Sequence, residues 1–275
     1  QIDNDDLLQA AVESAIAASH IIMDALDSPR VADFKSKTDL VTETDHRSEK
    51  KIKSILKSSF PEHSFLAEES GEETTSSDYL WIIDPLDGTT NFVHGYPSFA
   101  ISIALYHQNL PLIGVVLEMP HIKLYSAIKG EGAWCEGKSI SCSTTALLEN
   151  SLLVTGFGYD HGENWGRNML LFKSFTNKTQ GVRRLGAAAV DLCHVAVGKV
   201  DGYWEFDLQP WDSAAGFIIA QEAGVIVTDI HGNPLDFSHG AGLEKNRGVI
   251  AAVPSLHDRL IAAIDELEVG IVETA

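Results

Sequence analysis

Trp81-Ile82-Ile83-Asp84-Pro85-Leu86-Asp87-Gly88-Thr89-Thr90-Asn91-Phe92 decides how the rest of the chain is read. Its apolar lead-in, Tyr79 to Ile83, predicts a buried strand. Asp84 precedes a proline, so its backbone stays extended. Asp87, Gly88, Thr89 and Thr90 follow at once. Two carboxylates three residues apart at a strand-to-turn corner can converge on one spot. Crowded carboxylates repel, and one holds its proton unless a cation lies between them. Hard oxygen donors of this kind suit Mg²⁺. Gly88 lets the backbone come close to a ligand. A helix starting at Thr89 would aim its free N–H groups at the same spot, which favours an anion. Metal-binding acids beside a phosphate-binding helix start describe a phosphoryl-transfer site. Taken alone, the two aspartates are more simply an Asx turn with a threonine cap.

Composition narrows the classes. The chain has 275 residues, 44% of them apolar and 21% charged, which fits a soluble globular protein with a substantial core. Its net charge of −19 argues against a nucleic-acid surface or an anionic membrane surface. The same charge demands local cations wherever phosphate binds. Cys135, Cys142 and Cys193 show no metal spacing and read as reduced thiols of an intracellular protein. No apolar run reaches membrane-span length, and no signal peptide is visible. A cytoplasmic location is expected, or the plastid stroma if a transit segment precedes Gln1.

Outward from the opening stretch, further acids stand at element boundaries. Leu8, Val12, Ala15, Ile16, Ile22, Met23 and Leu26 recur at helical spacing, and Ser28-Pro29 ends that helix. Thr44-Asp45 predicts the start of a second helix, running through Ile52, Ile55 and Leu56 to a stop at Pro61. Asp45 by itself is equally a favourable charge at a helix start. Ser64 to Ser70 alternates into a strand ending in Glu68 and Glu69, which should point to opposite sides, so only one would face a site. Gly71 to Ser77 reads as an exposed loop. Phe99–Tyr106 and Leu112–Met119 form a hairpin through His107–Leu110, Lys123–Ile128 adds a strand, and Glu136-Gly137-Lys138 another turn. The sheet therefore carries an antiparallel component. Ser151–Phe157 is a strand and Trp165–Phe175 a helix. Val182 to Gly198 holds an alanine-rich helix opened by Gly186, with His194 as packing or surface. Asp201–Phe206 is a short strand, and Pro210-Trp211-Asp212 opens a helix to Gly224, where Asp212 alone would be a cap. Val225–Thr228, a His231-Gly232-Asn233 turn, Val249–Ala252 and a helix from Ser255 to Leu267 finish the chain. No repeat or linker divides residues 1–275, so one domain is expected.

Four separated strings, with Arg183–Gly186, resemble the inositol monophosphatase family in the family's own order. They are Asp39-x-Val41-Thr42-x-x-Asp45, Glu68-Glu69, Trp81 to Phe92, and Trp211-Asp212. Thr90-Asn91 is similar to the inositol monophosphatases within it, and Gly181–Gly198 is most like bacterial, cyanobacterial and plastid members. The resemblance implies a layered α-β-α-β-α sandwich of the inositol monophosphatase/fructose-1,6-bisphosphatase type, α/β (α+β) with a mixed sheet, and usually a homodimer. It implies a Mg²⁺-dependent, lithium-sensitive hydrolase of phosphate monoesters, acting on myo-inositol monophosphate by metal-activated water. Glu68, Asp84 and the Leu86 carbonyl would hold one ion, and Asp84, Asp87 and Asp212 a second, with a third, weaker ion near Glu68. Asp45 and Thr89 would activate water. Asp87, Gly88, Thr89, Thr90, Gly186, Ala188, Glu205 and Asp212 would bind substrate. Two alternatives remain open from the sequence: a broader sugar phosphatase that includes fructose-1,6-bisphosphatase activity, and a regulatory or binding protein on the same fold.

Overall fold

A computed structural model describes residues 3–28, 30–35, 39–159, 161–235 and 248–274. The chain runs α1 (Asn4–Leu26), β1 (Ala32–Phe34), β2 (Leu40–Thr42), α2 (Glu43–Ser59), β3 (Ser64–Ala67), β4 (Gly71–Glu73), β5 (Tyr79–Asp87) and α3 (Thr89–His94). Then come β6 (Phe99–His107), β7 (Leu110–Met119), β8 (Lys123–Ile128), β9 (Gly132–Cys135), β10 (Lys138–Ser139), β11 (Leu152–Thr155), α4 (Glu163–Lys178) and β12 (Gly181–Arg183). The last elements are α5 (Ala188–Ala196), β13 (Gly202–Glu205), α6 (Pro210–Glu222), β14 (Ile226–Asp229), β15 (Val249–Ala252) and α7 (Pro254–Thr274).

Eight strands form one sheet in the order β10-β9-β8-β7-β6-β5-β3-β4. Within it only β3 and β5 pair parallel. Five strands form a second sheet, β12-β11-β13-β15-β14, parallel around β11 and antiparallel around β15. Side-chain alternation sorts the layers. Trp81, Ile83, Ile101, Ile103 and Leu105 pack with Leu7, Ala11, Ile52 and Leu56 of α1 and α2. Their neighbours Ile82, Ala100, Ala104 and Tyr106 face α5 and α6 instead. The second sheet divides in the same way. Val154, Tyr203, Val249 and Ala251 share the α5/α6 core, whereas Leu153, Trp204, Ile250 and Ala252 pack on Leu171, Phe175, Leu260 and Ile264 of α4 and α7. The result is helix, sheet, helix, sheet, helix, and α5 and α6 are buried because each sits between two sheets.

Most expected elements stand within a residue or two of their predicted bounds. The hairpin between β6 and β7 turns on Gln108 and Asn109, both at positive φ, 53° and 63°, as a two-residue primed turn requires. Several expectations need correction. Thr42, not Thr44, caps α2 and begins it at Glu43. Gly71–Glu73 pairs antiparallel with β3 rather than looping free. The run at Val182 is a strand, and the alanine-rich helix begins only at Ala188. Ala32–Phe34 and Leu40–Thr42 pair antiparallel, two short strands that the sequence reading did not assign. Pro29, the expected stop of α1, and residues 36–38 lie outside the described residues.

Candidate active site

A bulge in β5 brings Asp84 and Asp87 to one face. Asp84 stands opposite Ser102 of β6, and Asp87 opposite Ala100, so three residues advance on one strand for two on the other. Without the extra residue, side chains three apart would point to opposite faces. Pro85 has no N–H to lose from the ladder at that irregularity. Gly88 follows at φ 85° and opens α3. A Cβ on it would stand 3.0 Å from the Ser98 carbonyl and 3.2 Å from both Ala187 Cβ and the Gly186 carbonyl. Asn91 binds α3 to the 185–186 segment, donating to the carbonyls of Ser98 at 2.6 Å and Leu185 at 2.7 Å.

Asp45 lies fully buried at the third position of α2. Its Oδ2 accepts from the Thr42 backbone N–H at 2.8 Å and the Thr42 hydroxyl at 2.5 Å. Its Oδ1 accepts from the Thr89 hydroxyl at 2.9 Å. The Thr89 hydroxyl also approaches the Leu86 carbonyl at 3.1 Å. Burial raises the Asp45 pKa despite these bonds.

Glu68 and Glu69 do not diverge as strand residues would. β3 ends at Ala67 and both lie in the turn after it. The Lys35 ammonium therefore reaches both, contacting Glu68 Oε1 at 2.8 Å and Glu69 Oε1 more closely. Only Glu68 lines the cavity. The Glu69 backbone N–H donates to Glu49 Oε2 at 2.8 Å, which fixes the turn.

Asp87, Glu68 and Asp212 meet around a cavity of about 380 Å³, with Glu205, Gly186 and Ala188 on its walls. Asp87 Oδ2 accepts from the Ala189 N–H at 2.8 Å, at the start of α5. Asp212 Oδ2 accepts from the Gln209 N–H at 2.7 Å, at the start of α6. Asp84 Oδ1 accepts from the Leu86 N–H at 3.0 Å. Asp84, Leu86, Asp45 and Thr89 are buried and stand behind the residues that line the cavity. Thr90 opens onto a neighbouring cavity instead. Burial first, and then neighbouring acids, raise the Asp84 and Asp212 pKa values well above the usual carboxylate range. The same causes push Asp87 up to about 8.

Glu205 ends β13, 8% exposed, with the Tyr203 hydroxyl donating to its Oε2 at 2.5 Å. Burial pushes its pKa up to about 8. Sequence reading missed several residues that shape this wall. The Glu205 carboxylate lies directly over Gly156, where a Cβ would come within 2.1 Å of Oε2. A glycine closing an apolar strand was the available signal. Asp191, on α5, is fully buried with neither carboxylate oxygen hydrogen-bonded among the described residues. Burial, Glu205 and Asp87 raise its pKa well above normal, and nothing in the sequence marked it. His194 packs as expected, its Nε2 donating to Glu118 at 3.0 Å.

The donor set fits Mg²⁺. Glu68, Asp84, Asp87, Asp212 and the Leu86 carbonyl are all hard oxygens, and the raised carboxylate pKa values register the charge a cation would neutralise. Among the described residues no three such side chains already form a closed cage. Each carboxylate is instead turned to a local donor: Lys35, or the backbone N–H of Leu86, Ala189 or Gln209.

The phosphatase IMPL1, chloroplastic, of Arabidopsis thaliana is 45% identical over 269 residues, 95% of this chain and 72% of that protein. The inositol-1-monophosphatase of Synechocystis sp. is 42% identical, over 93% of this chain and 92% of its own. An inositol monophosphatase structure from Anabaena (Nostoc) sp. PCC 7120 superposes with a TM-score of 0.81 at 40% identity, covering 95% of this chain and 96% of that one. Residues 3–268 match the model of the inositol monophosphatase family, and the chain belongs to that family.

Proposed function

We propose that this protein hydrolyses phosphate monoesters in a Mg²⁺-dependent reaction, with myo-inositol monophosphate as its substrate. One observation carries the reading: acids from four separate segments, at Asp39, Glu68, Asp87 and residues 205–212, line one cavity, backed by the buried Thr89–Asp45 pair. In this reading Glu68, Asp84 and the Leu86 carbonyl hold one ion, and Asp84, Asp87 and Asp212 another, with a third near Glu68. Bound Mg²⁺ would neutralise phosphate charge and acidify a water molecule.

The chain's own groups do the rest. Thr89 donates its hydroxyl hydrogen bond to Asp45 Oδ1, so its oxygen is free to accept from the attacking water. As the water passes one proton to the Thr89 oxygen, the Thr89 hydroxyl proton moves on to Asp45, and a single proton reaches the carboxylate. Its second oxygen is already saturated by Thr42, so only Oδ1 serves, and a pKa raised by burial suits a base. The Gly88 and Thr89 backbone N–H groups cradle the phosphate, while Thr90 faces the neighbouring cavity. Glu205, Gly186, Ala188 and Asp212 position the alcohol, where a carboxylate can accept several ring hydroxyls at fixed geometry.

In this reading the chain is a single domain, which the α5/α6 core supports by drawing on both sheets. A homodimer is the expected assembly, as for the family. Phosphate release from inositol 1-phosphate, with Mg²⁺ and with chelator, tests the reading. Release that is absent, or equal in chelator, would overturn it.

A further inference from the structure

A second cavity, of about 450 Å³, adjoins the acidic one. The two share Phe157, Gly158, Tyr159, Arg184 and Gly186. Beyond that shared wall the second cavity is aromatic. The Phe157 ring lies 6.1 Å from Trp165 and 6.1 Å from Phe172, and His161 lies 5.0 Å from Trp165. The fold's core uses this surface only in part: Phe172 packs against the α4/α7 core. α4 buries Asn168, Leu171 and Phe175, whereas Trp165, Met169 and Phe172 line the cavity along an adjacent stripe at i, i+4 and i+7.

Gly186 stands at the passage between the two cavities. A Cβ there would meet Asn91 Nδ2 at 3.1 Å and Arg184 Nη1 at 3.2 Å. Its φ of 87° independently favours glycine, so open passage and backbone conformation coincide at one residue. Arg184 makes no hydrogen bond or ion pair with the described residues, though its charge is felt by Glu205 and Asp191. A planar guanidinium at such a junction can stack on a ring while its charge faces the phosphate side.

Resting on the hydrolase reading above, we propose that this alcove is a leaving-group subsite. It takes the planar aromatic ring of a phosphate ester's alcohol, threaded past Gly186 and Arg184 and stacked against Trp165. Its volume lies within the range of small-ligand pockets.

The test compares 2-phenylethyl phosphate with glycerol 2-phosphate at saturating Mg²⁺. Both are alkyl esters, so leaving-group acidity does not separate them. The aromatic ester should show kcat/KM about 10-fold higher, mostly through KM, the scale of ring stacking on an aromatic side chain. Trp165→Ala should erase most of that ratio, and Trp165→Phe should keep most of it. Glycerol 2-phosphate turnover reports folding in each variant. A ratio equal in wild type and Trp165→Ala overturns the subsite while leaving the hydrolase reading intact. No Mg²⁺-dependent turnover of any ester overturns the hydrolase reading itself. If Trp165→Ala halves the sedimenting mass and leaves the ratio alone, the alcove is covered by a second copy of the chain and the proposal fails.

Discussion

Gly156→Ala should damage the substrate wall, and Glu205→Ala should cancel the damage. Gly156 does not need glycine's backbone freedom, since its φ lies outside the left-handed region. The constraint is space. An added Cβ would stand 2.1 Å from Glu205 Oε2 and 2.3 Å from its Cδ and Oε1. The carboxylate must retreat by roughly 1 Å or more to reach ordinary contact. It cannot do so and keep the Tyr203 hydroxyl at 2.5 Å. Leaving a buried hydrogen-bonding group unsatisfied costs about 1–3 kcal/mol, and overpacking costs a further ~1–3 kcal/mol. A destabilisation of about 2–6 kcal/mol follows, which lowers Tm by roughly 4–24 °C in a chain of this size.

A double-mutant cycle isolates the clash. With Glu205→Ala in place, Gly156→Ala should cost under about 0.5 kcal/mol in urea unfolding. The same variants probe substrate choice. Glu205→Ala should raise KM for inositol 1-phosphate about 10-fold, the equivalent of one lost hydrogen bond to a charged group. Glycerol 2-phosphate should change much less, and Gly156→Ala alone should follow the same pattern. A Gly156→Ala cost that persists in the Glu205→Ala background would show that the strain lies in the backbone and refute the reasoning.

Three further outcomes follow. Asp87→Asn and Asp212→Asn should each remove most activity while Tm holds, and near wild-type turnover in saturating Mg²⁺ would sink the ion assignment. Thr89→Ala should lower kcat by ~10²–10⁴-fold with little change in Mg²⁺ affinity; the reverse pattern in titration calorimetry would move Thr89 from water to metal. Away from the site, Glu118 accepts from His194 at 3.0 Å and Tyr125 at 2.8 Å. Burial alone would raise its pKa, but these bonds win and depress it from 4.5 to about 2. Its contribution is therefore full above about 4.5 and lost as pH falls towards about 2. Glu118→Gln should cost on the order of 1–3 kcal/mol at pH 7, and its unfolding curve should converge on wild type in acid. A gap that persists at pH 2 contradicts the pairing.

The layers were legible through the family resemblance and not through periodicity, because the central strands of the large sheet are packed on each face by a different cluster. Trp81 and Ile83 against Ile82 is an alternation that any reading of Tyr79 to Ile83 registers as buried on both faces. Short hairpins were legible where turn chemistry was strong, as at Gln108-Asn109. The β1–β2 hairpin was not, because its strands of three residues are too short to show a period. In the site, the acids were legible as motif matches, but their geometry was not. The bulge that aligns Asp84 with Asp87 depends on register with β6, which no local string encodes. Lys35 reaches both glutamates because a turn replaces the last strand residues. The alcove took shape only when α4, the 157–159 segment and α3 came together.

The structural and functional readings of the four aspartates are not rivals. Asp45 and Asp212 each stand at the third position of a helix, and each gives one oxygen to the backbone N–H of its N-cap residue, at 2.8 and 2.7 Å. Asp84 gives one oxygen to the Leu86 N–H at 3.0 Å, and Asp87 one to the Ala189 N–H at 2.8 Å. In every case the backbone takes a single oxygen and fixes the side chain's torsions. A carboxylate has lone pairs for more than one partner, so capping leaves the other oxygen available to a hydroxyl, as Asp45 shows with Thr89. Orientation set in this way exists before any ligand arrives, and preorganised groups need no rearrangement during reaction. Local helix chemistry therefore does not compete with the site. Two capping boxes, one Asx-type bond at the β5 bulge and one contact to the start of α5 hold in place four carboxyl groups whose charges, once ionised, would repel one another.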